Sequence, residues 1–107
     1  MSDMNKYKRV INEVAGMLEH AGIPCTVNDI SDGAQVRFPW HEGDIACHHG
    51  THGADDGLVE SLGFPWDEGD VTAMMPEEAA DRVIELYAQY RAAIRTEEDL
   101  LGLLELS

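Results

Sequence analysis

A chain of 107 residues has the usual size of one domain, and a hydrophobic share of 44% is enough to build one core, so a single domain over 1–107 is expected. The 21 Asp and Glu against 7 Lys and Arg give a formal net charge of -14. That balance works against docking on nucleic-acid phosphates or anionic membranes and favours basic proteins and cations as partners. Met1 to Val10 holds no apolar stretch of signal-peptide length, and nowhere do 18 apolar residues run together. With only Cys25 and Cys47, outside any CxxC spacing, these features predict a soluble cytoplasmic protein with two free thiols.

In chain order, Met4, Tyr7, Ile11, Val14, Leu18 and Ala21 step by three or four, the stripe of an amphipathic helix. Gly22 and Pro24 are its stop signals. Cys25 to Ile30 and Ala34 to Phe38 are β-prone runs joined by Ser31-Asp32-Gly33, which predicts a hairpin with Gly33 supplying a positive φ. A turn over His41-Glu42-Gly43-Asp44 then leads to a third strand, Ile45 to His49. Gly50 to Gly57 reads as a loop, Leu58 to Leu62 as one or two helical turns capped by Asp56 and stopped by Gly63, and Val71 to Met74 as a fourth strand. Pro76-Glu77-Glu78 opens a second long helix, with Ala80, Val83, Ile84, Tyr87, Tyr90 or Arg91, and Ile94 as its buried stripe. Thr96 followed by Glu97-Glu98-Asp99 has the form of an N-cap and acidic first turn, which predicts a short terminal helix carrying Leu100, Leu101, Leu103, Leu104 and Leu106. Those leucines either close the core or leave an apolar face that recruits a partner or a second copy of the chain. The resulting class is α+β: an antiparallel sheet of three to four strands against two long helices, in the order α-β-β-β-(short α)-β-α-α.

Two features carry functional weight. Phe38 to Ile45 reads FPWHEGDI, and Phe64 to Val71 reads FPWDEGDV. Each copy brackets a proline with aromatic residues and follows it with an acidic Gly-containing turn. The rings of both copies either pack in the core, leaving the acidic pieces as plain turns, or back a single anionic platform with Trp40 and Trp66 as anchors. Around them, residues 38–81 carry no Lys or Arg but eleven Asp and Glu.

The second feature is the run Cys47-His48-His49-Gly50-Thr51-His52-Gly53-Ala54-Asp55-Asp56. Cys47, His48, His49 and His52 are ligand types for zinc or a related ion, and Asp44, Asp55 or Asp56 could complete the set or orient a histidine. The spacing follows no established signature: HHGTH lacks the glutamate of HExxH, and no second Cys pair is present. The bland alternative is a polar loop of solvated imidazoles. No nucleophile elbow, P-loop or dinucleotide fingerprint occurs.

The leading expectation is a non-enzymatic module docking on a basic protein surface through Trp40, Glu42, Asp44, Asp55, Asp56, Trp66, Asp67, Glu68 and Asp70, since carboxylates spaced along turns can stand in for phosphates. In size, acidity and α+β pattern the chain is similar to small accessory proteins of phages and mobile elements, some of which block nucleases with DNA-like negative charge. The alternative is a metal-binding protein or small metal-dependent hydrolase using the His48 to Asp56 loop, with Asp55 as base. A homodimer through the leucine-rich tail is compatible with either.

Overall fold

The computed structural model describes residues 6–106, with side chains as far as 102. Helix α1, Lys6–His20, buries Ile11, Val14 and Leu18 of the expected stripe together with Ala15; Tyr7 is half-buried, Ala21 is exposed past the helix end, and Met4 lies outside the described residues. The helix ends as the Gly22-Pro24 signals predict. Gly22 takes φ 79, its N–H bonds the Glu19 carbonyl at 3.0 Å, and the Ile23 N–H bonds that of Leu18 at 2.9 Å. That pair of bonds is a Schellman closure, and Ile23 is buried with Leu18 beneath it.

Five antiparallel strands follow: β1 Thr26–Ile30, β2 Gly33–Phe38, β3 His41–Cys47, β4 Val59–Leu62 and β5 Val71–Met74. Their order across the sheet is their order in the chain. Val36, Ile45, Ser61 and Val71 form one cross-strand row on the core face; Arg37, Asp44 and Leu62 form a neighbouring row on the open face. Helix α2, Pro76–Leu106, docks its first turns beside α1, with Ala79, Ala80 and Val83 in the core. The result is two layers, helices on one face of the sheet and solvent on the other. Among the described residues no helix is long and apolar enough to cross a membrane.

The α+β class and the two long helices are as expected, and the sheet has five strands instead of three to four. Leu58 to Leu62 is strand, not helix: Val59 and Ser61 are buried while Glu60 and Leu62 are half-exposed, a period of two that matches pairing with β3. A 3₁₀ turn lies earlier, at Ala54–Asp56, held between Gly53 and Gly57, both at positive φ. The β2–β3 turn falls on Pro39-Trp40, because Phe38 pairs directly with His41; Glu42-Gly43-Asp44 is therefore strand. Gly33 does not supply a positive φ; it opens β2, where any Cβ would overlap the Cys47 carbonyl and His48. No break falls at Thr96, whose hydroxyl donates to the Ala92 carbonyl at 3.0 Å instead of capping a new helix. Leu100 and Leu101 stay exposed and do not close the core; the side chains of Leu103, Leu104 and Leu106 lie outside the described residues.

Candidate functional site

Because strand and chain order coincide, the β2–β3 and β4–β5 connections emerge at the same end of the sheet, and these are the two copies of the repeat. Phe38 and Phe64 are buried and meet edge to face at 5.9 Å. His41 stacks on Phe64 at 5.2 Å, and Trp66 stacks on Phe64 at 4.9 Å. Trp40 lies 5.4 Å from Phe38 and reaches Tyr87 and Tyr90 of α2 at 4.9 and 5.4 Å. One aromatic cluster thus ties both repeats to the second helix. Each indole N–H has a partner within the fold, Trp40 donating to the carbonyl of the exposed Pro24 and Trp66 to the buried Ser61 hydroxyl, both at 2.9 Å. Both tryptophans are half-buried, so each serves the packing while keeping part of its ring at the surface.

The same three letters, Glu-Gly-Asp, behave differently in the two copies. In the first, Glu42-Gly43-Asp44 is extended, and Gly43 lies directly under the Phe64 ring, where a Cβ would come within 2.7 Å of ring carbons. In the second, Asp67-Glu68-Gly69 is a turn closed by the Gly69 N–H on the Trp66 carbonyl at 3.0 Å, with Gly69 at φ 79. Asp70 then accepts the Gly63 N–H at 3.0 Å, and Gly63 sits against Gly43 and the Glu42 carbonyl.

Five carboxylates from the two copies therefore share this end: Glu42, Asp44, Asp67, Glu68 and Asp70. Glu42, Asp67, Glu68 and Asp70 are exposed. Glu68 is held by Arg82 at 2.8 Å, which keeps its carboxyl down at about 2, and Arg82 also pairs with Glu78 at 3.0 Å and lies 5.5 Å from the Trp66 ring. Asp44 is half-buried; burial pushes its carboxyl up, the nearby Arg37 draws it partly back, and Asp70 adds to the rise. Its Oδ1 finds no hydrogen-bond partner among the described residues. Between the second repeat and α2 runs an open cleft of about 340 Å³, walled by Trp66, Glu68, Arg82, Glu85 and Leu86.

Asp55 and Asp56 lie at the opposite end of the strands, on the 3₁₀ turn, apart from the other acidic candidates. Asp55 accepts from the Tyr7 hydroxyl at 2.7 Å and pairs with Lys6 at 2.9 Å, contacts that hold its carboxyl below the usual range. The histidine run belongs to this end too, with its groups turned to separate tasks. The Cys47 thiol is fully buried, faces the Leu58 carbonyl at 3.4 Å, and is pushed up by burial. His48 Nδ1 accepts the Gly50 N–H at 3.0 Å, His52 Nδ1 lies 3.2 Å from Glu60, and the His49 backbone N–H donates to Asp32. Among the described residues no group of three or more His, Cys, Asp or Glu side chains is gathered as a metal site would be.

Sequence reasoning singled out the acidic residues and tryptophans, and did not place Arg82, Tyr87, Tyr90 and His41 beside them. Periodicity marks Tyr87 as a core-facing position of α2, but only the docking of that helix reveals Trp40 as its neighbour. The chain matches no family model, and neither curated proteins nor solved structures supply a match.

Proposed function

We propose that this protein is an acidic binding module that docks a basic protein surface, of the kind a nucleic-acid-binding protein presents to phosphates, through the end of the sheet where the two repeats meet. The observation that carries this reading is the convergence of Glu42, Asp44, Asp67, Glu68 and Asp70 beside two half-buried tryptophans at one end of the molecule. Carboxylates on closely spaced turns form a local field that steers a basic partner and fixes its register, and the indole rims add contact area where charge alone gives little affinity. The aromatic cluster beneath holds the two acidic segments in fixed relation, so little ordering is needed on binding.

Decalysine serves as a defined cationic probe, with tryptophan fluorescence as the readout, because the chain's 2 Trp both lie at this end. Binding should weaken steeply with salt and should change the emission. Neutralising Glu42→Gln with Asp67→Asn should weaken it about tenfold, whereas Asp55→Asn with Asp56→Asn, the same change in charge at the other end, should have less than about a twofold effect. Equal losses from the two pairs would show that total charge alone draws the probe, and the reading would fail.

A further inference from the structure

The first half of α2 belongs to the core and the second does not. From Ala88 to Leu101 every side chain but Ile94 is exposed, and the molecule measures 64 Å along its long axis against 29 and 21 Å across it. The part beyond Tyr90 is roughly at the length, about 12–15 residues, below which an unsupported helix is marginal in water, and Gly102 weakens it by about 1 kcal/mol relative to alanine. Its apolar residues extend the core stripe in part: Ala80, Tyr87, Ile94 and Leu101 recur at intervals of seven, with Val83 and Tyr90 between them and Glu97 at the next such place. Tyr90 is 37% exposed, Leu100 57% and Leu101 56%, side chains that leave water only against something not yet in contact.

The charge pattern along this stretch says what that something is. Arg91 and Arg95 lie on its inner part, Glu97, Glu98 and Asp99 on its outer part. A parallel pair of such helices would set each acidic run against its own copy, a repulsive arrangement. An antiparallel pair crossing near Ile94 sets Arg91 of each chain opposite Glu97 of the other, with Arg95 about a turn from that acidic run. It also holds the two bodies at opposite ends of the paired helices, farther apart than the screening length of about 8 Å, which limits repulsion between two chains of formal charge -14. We infer that the projecting half of α2 is a self-complementary interface through which two copies of this chain pair antiparallel. This goes beyond the docking of a basic partner and involves the other side of the aromatic cluster.

Sedimentation equilibrium of the full chain tests it at physiological and at high salt. A reversible dimer is expected that persists at high salt, because the apolar stripe carries most of the association, unlike binding at the acidic end. Ile94→Asp with Leu101→Asp should weaken dimerisation at least about a hundredfold while tryptophan emission reports an intact body. Arg91→Glu with Arg95→Glu should weaken it as well, and adding Glu97→Arg with Glu98→Arg to that variant should restore it. The charge exchange touches only exposed residues and decides the matter should the apolar variant lose its fold. A chain that stays monomeric at high micromolar concentration, or a dimer indifferent to the apolar variant, would overturn the inference. A dimer weakened by Arg91→Glu with Arg95→Glu that the added arginines fail to restore would overturn the antiparallel pairing.

Discussion

Gly43 and Gly69 hold the same place in the two copies of the repeat, yet each is required for its own reason. A side chain at Gly43 collides with the Phe64 ring, so Gly43→Ala must push apart the contact that joins the copies and should cost about 2–3 kcal/mol. Gly69 has open space around it and only its positive φ to protect, so Gly69→Ala should cost about 1 kcal/mol. Urea titrations of the two variants separate these mechanisms, and equal losses would contradict them. Asp44 adds a pH dependence of unusual sign. Burial raises its pKa above the 3.8 of an unfolded carboxyl, so folding takes up a proton between those values, and stability falls as the pH rises through that window. Asp44→Asn should therefore raise the melting temperature at neutral pH, with a gain that shrinks toward zero as the pH falls to 3.8. Glu68 works the other way: held near 2 by Arg82 against 4.5 unfolded, it supports the fold above 4.5 and loses that support as the pH falls toward 2.

At the scale of elements, both helices were legible in the sequence because their stripes repeat over several turns and their ends carry chemical marks, Gly22 for α1 and Pro76 for α2. The sheet was legible in β2, where alternation was clear, and in β1 and β5, which read as short β-prone runs beside turn signals. It was misread at Leu58 to Leu62, where five residues fit a helical turn as well as a strand and only pairing with β3 decides. Thr96-Glu97-Glu98-Asp99 misleads in the same way: it has the letters of an N-cap, but a threonine hydroxyl bonded to the carbonyl four residues back is equally at home inside a helix. The difference in support along α2 should appear in hydrogen exchange. In dilute solution amides beyond Tyr90 should exchange much faster than those of Ala79 to Val83, and raising the protein concentration should slow the outer set only. Uniform protection along the helix would contradict this division.

For the molecule as a whole, the excess of carboxylates is a standing repulsion that the fold carries. Added salt at moderate concentration should raise the thermal midpoint by screening it, even as the same salt weakens docking of a basic partner; a midpoint that falls would mean that pairs such as Lys6–Asp55 and Lys8–Asp29 outweigh the repulsion. The candidate site was only half legible at this scale. The repeat marked which residues could gather, and the aromatic contacts bring its two copies together. Which acids already have partners was hidden, because the cations come from distant points of the chain: Arg82 for Glu68, and Lys6 for Asp55. That the acidic candidates divide between two ends was hidden for the same reason, since it depends on strand direction.

The coincidence of sheet order with chain order also bears on how the molecule assembles. Each strand finds its partner in the segment next to it, so the sheet can grow by local hairpins, each closing a short loop, and the entropy cost of each closure is small. The contact between α1 and the start of α2 joins the parts of the fold most distant in the chain, so its loop-closure cost is the largest. Folding should accordingly be fast, on the order of milliseconds. Substitutions at the α1–α2 contact, such as Val83→Ala, should mainly speed unfolding, leaving the rate of folding nearly unchanged.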